Sequence, residues 1–292
     1  MHITGSTQVY AIVADPIAQV RAPEVFNEIF GRAGIDAVMI PLHVRAPDLD
    51  ALSRTLFSAP NLSGLVVSIP HKSALAVSLG SVDRLASVAG AVNAVRRGRD
   101  GQLEGALFDG EGFVLGLEAD GLIYRGRHAL ILGAGGAGAA IATSLAQRGA
   151  ASIALFDPEW HKAEDLGARV QATFGVPCHS VANNSPAGYG LVVNATPLGL
   201  RTDDPLPFNP AELDPGAVVC DILMKNQPTP LLRTVRALGG VAQPGFEMLI
   251  QQMPLYLEFF GHHKAAQQIR DDPVSLRELL YPQALRDSWA QA

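Results

Sequence analysis

The stretch at residues 129–157, ALILGAGGAGAAIATSLAQRGAASIALFD, constrains this chain more than any other. Residues 129–132 have the length and composition of a buried strand, residues 133–138 form a tight glycine-rich turn, and residues 139–148 are good helix formers. A second strand, residues 152–156, ends on Asp157. The spacing Gly133-x-Gly135-x-x-Gly138 between a strand and a helix suits a dinucleotide pyrophosphate. Glycine lets the backbone approach the phosphates, and the helix N-terminus turns unpaired N–H groups toward them. Ala134, Gly136 and Ala137 complete the cradle. Asp157 lies 19 residues beyond Gly138, where a carboxylate hydrogen-bonds an adenosine ribose and repels a 2′-phosphate. A bland alternative is a membrane span with small-residue packing, since residues 129–146 carry no charge over 18 positions. Four glycines after only four apolar residues argue for a turn instead.

The 292 residues, 48% of them hydrophobic, allow two domains with cores of their own. Net charge is −6, and the 22 basic residues form no run longer than Arg96-Arg97, so neither nucleic acid nor an anionic membrane is an expected partner. Cys178 and Cys220 sit in no CxxC or Cys/His pattern, and His262-His263 are adjacent and cannot share a helix face. A disulfide framework and a metal site both lack support. The opening MHITGSTQVYAIVADP lacks a basic segment followed by an apolar core, so a reducing cytoplasm is the expected location.

Before the glycine turn the pattern is strand, helix, strand, helix, strand: residues 9–13, a helix from Pro23, residues 37–42, residues 47–57 and residues 65–69, the last stopped by Pro70. This describes a small α/β domain. Lys72, just past that stop, is the best candidate for proton transfer, although on spacing alone a solvated surface lysine, the usual fate of the residue type, is the commoner explanation. Residues 109–121, DGEGFVLGLEADG, carry the chain into the nucleotide domain, where strand and helix alternate to about residue 243. Beyond Gly245 come an apolar helix at residues 248–260 and one last amphipathic helix carrying Leu276, Leu279, Leu280 and Leu285. Neither has a strand partner, so both are expected to pack on the first domain or to make a homodimer contact.

Seven motifs occur in one order over nearly the whole length: VVSIPHK, GAVNAV, Asp109-Gly110-x-Gly112, GAGGAG, VVNATPLGL, the Asp221 strand with Thr229-Pro230-Leu231, and GFEMLIQQ. Together they resemble the shikimate/quinate dehydrogenase family. The resemblance implies an α/β protein of two domains with its active site in the cleft. A Rossmann-type doubly wound parallel sheet would occupy residues 108–245, and a smaller α/β substrate domain residues 1–107 completed by C-terminal helices 246–292. It implies alcohol/ketone chemistry on a cyclic, hydroxylated and typically carboxylated substrate, with Lys72 as general acid/base and Asp109 as its partner. Ser68, Asn93 and Gln252 match residues that hold substrate hydroxyls; the register from Gly245 and Met248 favours Gln252 over Gln251. Asn194, Pro197, Leu198, Gly199, Ile222 and Gly245 match positions near the nicotinamide half of the cofactor.

Three departures bear on substrate. Val20 and Ala22 stand where the family carries a Ser-x-Ser pair for the substrate carboxylate, leaving Arg21 between them as a candidate bidentate grip. Leu107-Phe108 replaces a polar pair before Asp109, and Met224 replaces an expected tyrosine. All three make one end of the pocket more apolar and point away from ordinary shikimate activity. Asp157-Pro158-Glu159 lacks the arginine-containing patch of NADP-using relatives, so NAD is the expected cofactor, with Lys162 the one nearby cation. The rival from another class is a catalytically quiet NAD-binding sensor on the same fold, against which the retention of Lys72 and Asp109 speaks.

Overall fold

The structure, a computed structural model, describes residues 2–201 and 203–289 of the chain. The chain forms two compact units, Met1–Phe108 with Met253–Leu279, and Asp109–Gln252 with Leu280–Ala292.

The first unit runs β1 (Gln8–Ala14), α1 (Ala22–Ala33), β2 (Ala37–His43), α2 (Leu49–Leu56), β3 (Leu62–Val67), α3 (Lys72–Ser78), β4 (Ser81–Val82), α4 (Arg84–Ala89), β5 (Ala94–Arg97) and β6 (Leu103–Ala106). The sheet order is β2-β1-β3-β5-β6-β4. β1 is parallel to β2 and β3, β5 is antiparallel to β3 and β6, and β4 is parallel to β6. Parallel neighbours need crossover helices, and α1 supplies the first. Its Val25, Phe26, Ile29 and Phe30 form one buried stripe, and Gly34 ends it in the left-handed region at φ 65°. β3 starts three residues earlier than the sequence indicates and stops at Val67, although the Ser68 N–H still donates to Val13 O at 2.9 Å. β4 and β6, of two and four residues, are too short to show a hydrophobic period.

The second unit runs α5 (Asp109–Ala119), β7 (His128–Leu132), α6 (Gly136–Arg148), β8 (Ser152–Phe156), α7 (Trp160–Phe174), β9 (Cys178–Ser180), β10 (Leu191–Asn194), β11 (Val218–Asp221), α8 (Pro230–Ala237) and β12 (Val241–Pro244). All six strands are parallel in the order β12-β11-β10-β7-β8-β9. The chain leaves β7 toward β8 and β9, then returns to the other side of β7 with β10. The strand order therefore reverses between β7 and β10, and the carboxyl ends of those strands form the crevice that ligands use in such sheets. β10 and β11 are buried along their full length, as a parallel sheet covered on both faces requires. On one face Leu130, Leu132, Val192 and Val219 pack with Leu231 and Val235 of α8. Among the described residues no helix is long and apolar enough to cross a membrane.

Four helices follow: α9 (Phe246–Phe259), α10 (His263–Asp271), α11 (Val274–Leu280) and α12 (Gln283–Trp289). The division between units falls inside α9, between Gln252 and Met253. In the first unit, Tyr256 and Phe260 join Tyr10, Phe26 and Phe30 in an aromatic cluster with centroids 5.0 to 6.3 Å apart. Gly64 of β3 makes room for it, because a Cβ there would run into the Phe260 ring. Residues 246–252 and 280–292 group with the second unit, where the sequence reading assigns everything from residue 246 to the first. The single last helix expected through Leu285 is two, interrupted at Tyr281-Pro282. Proline lacks the N–H a continuing helix needs and disfavours helical geometry in the residue before it.

Candidate active site

The three glycines of the turn are each required for a different reason. Gly133 has φ 98°, and a Cβ there would lie 2.8 Å from Ala195 O. At Gly138 a Cβ would overlap the Gly133 carbonyl oxygen, so only glycine lets α6 start that close to β7. A Cβ at Gly135 would meet nothing within 4 Å, which leaves the space over it open to a ligand. Gly135 is also the N-cap of α6 with no side-chain capping bond, so among the described residues the first-turn N–H groups of Gly136, Ala137 and Gly138 have no side-chain acceptor. The Ala134 N–H is committed elsewhere: it donates to Asp157 Oδ2 at 2.8 Å. Asp157 Oδ1 accepts the Glu159 N–H at 2.9 Å. The aspartate thus ties the turn to the end of β8, and each of its oxygens keeps a further lone pair for a ribose hydroxyl. Lys162 pairs with Glu159 at 2.5 Å, a bond that raises the lysine's pKa. These features fit a dinucleotide.

Across the switch point, Asn194 closes β10 and Asp221 closes β11, both fully buried. The Asn194 side chain is spent on the protein. Nδ2 donates to Leu198 O and to Asp221 Oδ1, each at 3.1 Å, while Oδ1 accepts from Thr196 N at 3.1 Å and from Thr196 Oγ1 at 2.6 Å. Asn194 therefore shapes the loop that carries Pro197, Leu198 and Gly199. Gly199 has φ 109°. Gly245, just past β12, packs on the backbone after β11, where a Cβ would lie 2.6 Å from Ile222 O. The nicotinamide-side residues of the sequence reading thus cluster at the carboxyl ends of three neighbouring strands.

In the same unit Asp109 opens α5 and is 5% exposed. Gly112, one turn on and on the same face, has no room for a Cβ because Gln252 Cγ and Met248 O already occupy it. That packing brings Gln252, 3% exposed, to the Asp109 end of α5. Gln251 is half-buried and donates to Glu247 at 3.4 Å.

In the first unit Ser68 follows β3, and Lys72, half-buried, opens α3. The Val92 N–H donates to Lys72 O at 3.0 Å, which fastens the lysine beside fully buried Asn93. Asn93 Oδ1 accepts the Phe108 N–H at 2.9 Å, so its amide nitrogen is the end that can donate to a hydroxyl. The sheet thus brings Ser68, Lys72 and Asn93 together. Buried His71 bonds Val44 O at 2.7 Å and anchors the same turn. Arg21 is the N-cap of α1, and its guanidinium pairs with Glu24 one turn along that helix.

Residues 12–95 match the family model of the shikimate dehydrogenase substrate binding domain. Over 255 residues the chain is 35% identical to the shikimate dehydrogenase (NADP(+)) of Rubrobacter xylanophilus, an alignment spanning 86% of this chain and 89% of that protein. The chain belongs to the shikimate dehydrogenase family. This makes it an oxidoreductase of the shikimate/quinate dehydrogenase type. Among solved structures it is similar to the Listeria monocytogenes shikimate 5-dehydrogenase in complex with shikimate and NAD, with 27% identity, a TM-score of 0.80, and coverage of 92% of this chain and 98% of that one. It is equally similar to the ligand-free 5-ketofructose reductase of a Gluconobacter species, with 28% identity, a TM-score of 0.79, and coverage of 92% and 99%.

In this shikimate dehydrogenase family member, sequence reasoning missed Thr196, Asp221 and Thr229 as parts of one hydrogen-bonded network. The available signal was a lone acid ending an apolar strand, with a Thr-Pro helix start eight residues on.

Proposed function

We propose that the protein is an NAD-dependent dehydrogenase that interconverts a ring hydroxyl and a ketone on a cyclic, hydroxylated substrate. The observation that carries the cofactor reading is the loop after β8: Asp157 brackets the glycine turn, Glu159 follows, and Lys162, the nearby cation, is paired to Glu159. A 2′-phosphate there would meet two carboxylates, whereas a 2′-hydroxyl would find an acceptor. The Rubrobacter relative is named for NADP(+) and the Listeria crystal holds NAD, so the preference rests on this chain's own loop. When bound, NAD supplies the hydride acceptor.

Lys72 Nζ takes the proton of the hydroxyl being oxidised and returns it in the reverse direction. Asp109, the acid that the family pattern couples with the lysine, binds a neighbouring hydroxyl. The Asn93 amide, fixed by Phe108, donates to another, and Ser68 and Gln252 add a hydroxyl and an amide. A second reading of the substrate, a polyhydroxylated compound without a carboxylate, is favoured by the pairing of Arg21 with Glu24 and by the likeness to a 5-ketofructose reductase. An exposed pair is worth only about 0–1 kcal/mol, so a carboxylate can still recruit Arg21 at small cost.

The test is an initial-rate assay with NAD and NADP across quinate, shikimate and neutral cyclic polyols, in wild type and Lys72→Ala. Turnover with NAD is expected, with kcat lowered by about 10²–10⁴ in Lys72→Ala and NADH affinity unchanged. A Lys72→Ala enzyme that keeps most of its turnover would sink the assignment of the lysine. A higher kcat/KM with NADP would overturn the cofactor reading. Tight NAD binding with no turnover of any compound would identify a sensor.

A further inference from the structure

Asp221 is fully buried, yet the chemistry proposed above does not use it. Its three partners come from three segments: Asn194 Nδ2 at the end of β10, 3.1 Å from Oδ1; the Leu223 N–H just past β11, 3.2 Å from Oδ1; and Thr229 Oγ1, 2.7 Å from Oδ2. All three are neutral donors. A carboxylate desolvated in this way is costly to bury, and here it gains no countercharge among the described residues. What it gains is convergence, because only an acceptor-only group with two oxygens can take all three bonds at once.

Each bond passes its constraint on. Thr229 is the N-cap of α8, with Oγ1 accepting the Leu232 N–H at 3.3 Å, so its own O–H proton is directed at Asp221. Asn194 holds its second Nδ2 proton on Leu198 O and its oxygen on Thr196, and Thr196 Oγ1 accepts the Leu198 N–H at 3.1 Å. From the other side Asn226, at φ 54°, donates to Gly199 O at 3.0 Å and Leu200 O at 2.7 Å. The loop after β10 and the loop after β11 are therefore one hydrogen-bonded body, and Asp221 is the group where their bonds meet.

We propose that Asp221 is a positioning residue for the nicotinamide half of the cofactor, locking the Asn194–Leu200 and Ile222–Thr229 loops in the single arrangement that presents Pro197, Leu198, Gly199 and Ile222. This rests on the reading of those four residues as the nicotinamide side. The adenosine half, held by the glycine turn and Asp157, lies across the switch point and shares none of these bonds.

The two halves separate experimentally with NADH and ADP-ribose, which lacks the nicotinamide. Asp221→Leu removes both acceptor oxygens, and with them all three bonds, in a side chain of the same branching. Asp221→Asn keeps an oxygen for Asn194 and Leu223 but turns an amide N–H toward the Thr229 hydroxyl. The expected result by calorimetric titration is an NADH Kd raised about tenfold or more in Asp221→Leu and by a smaller factor in Asp221→Asn, with the ADP-ribose Kd unchanged within twofold in both. If Asp221→Leu does not fold, Asp221→Asn and Thr229→Val, which remove one bond each, carry the test. Equal loss of both ligands would mean general destabilisation, and no loss of either would mean that the loops hold without the carboxylate; both outcomes overturn the proposal. Wild-type protein that binds neither ligand would instead overturn the dinucleotide reading on which it rests.

Discussion

Replacing Asp157 with alanine tests the cofactor reading at its root. The carboxylate makes two charge-assisted bonds, from Ala134 N–H at 2.8 Å and Glu159 N–H at 2.9 Å. Hydrogen bonds to charged groups contribute about 1.5–3 kcal/mol each, but Ala134 is half-buried and Glu159 exposed, so water replaces part of the loss. A stability cost of about 1–2 kcal/mol follows, small enough for the fold to survive. Binding loses more. The turn loses its tether to β8, and the ribose loses an acceptor whose bonds are themselves charge-assisted, which together amount to about 2–3 kcal/mol or a 30- to 150-fold rise in the NADH Kd. For NADPH the same change also removes a negative charge beside the 2′-phosphate. The repulsion relieved is about 1–4 kcal/mol at effective dielectric constants between 80 and 20, so it offsets most of the loss. Asp157→Asn, which keeps an acceptor for the Ala134 N–H, should fall between wild type and alanine for NADH. Fluorescence titration with both reduced cofactors, alongside Tm, measures all of this. An Asp157→Ala protein that binds NADH within twofold of wild type would refute the reasoning, as would one that loses NADH and NADPH equally.

The glycines of the turn give a paired prediction. Gly138→Ala places a methyl group against the Gly133 carbonyl and should cost about 1–3 kcal/mol of stability. Gly135→Ala meets no protein atom within 4 Å, so its Tm should hold while NADH affinity drops at least tenfold; stable Gly138→Ala with normal binding would contradict the packing argument. Stability against pH offers another test, because burial raises the Asp221 pKa from its ordinary 3.8 to about 6. A carboxyl raised in the folded state favours folding at low pH: its contribution is full below about 3.8 and lost as pH rises through about 6. At roughly 1.4 kcal/mol per pH unit the full swing is about 3 kcal/mol, nearly half of it between pH 7 and pH 5. Denaturant titrations should therefore show wild type gaining on Asp221→Asn as pH falls from 7 to 5, and parallel profiles would show that Asp221 is not the group that titrates.

What the sequence made legible, and what it did not, follows the range over which each constraint acts. The β7–turn–α6–β8 unit is readable because each demand on it is local: an apolar run of strand length, glycines where the backbone must bend or be approached, and an acid at a fixed distance. Even there the sequence could not tell how the Ala134 N–H is used, since its acceptor lies 23 residues away. The position of Asn194 was recognisable by pattern. That all four of its side-chain hydrogen-bonding capacities are consumed by Thr196, Leu198 and Asp221 was not, because this depends on two strand ends being neighbours. The C-terminal helices failed for a different reason: Leu276, Leu279 and Leu280 share one helical face, but Leu285, nine residues beyond Leu276, would fall on the opposite one, and Pro282 stops the backbone between them. Arg21, a guanidinium between two apolar positions and a candidate grip for a carboxylate, pairs with Glu24 three residues on, within the same helical turn. Short-range pairing of that kind was visible in the sequence as an i,i+3 couple, and it weighs on the substrate question from within the first unit alone: an arginine already answered by its own helix gives a neutral polyol nothing to overcome, while a carboxylate must compete for it.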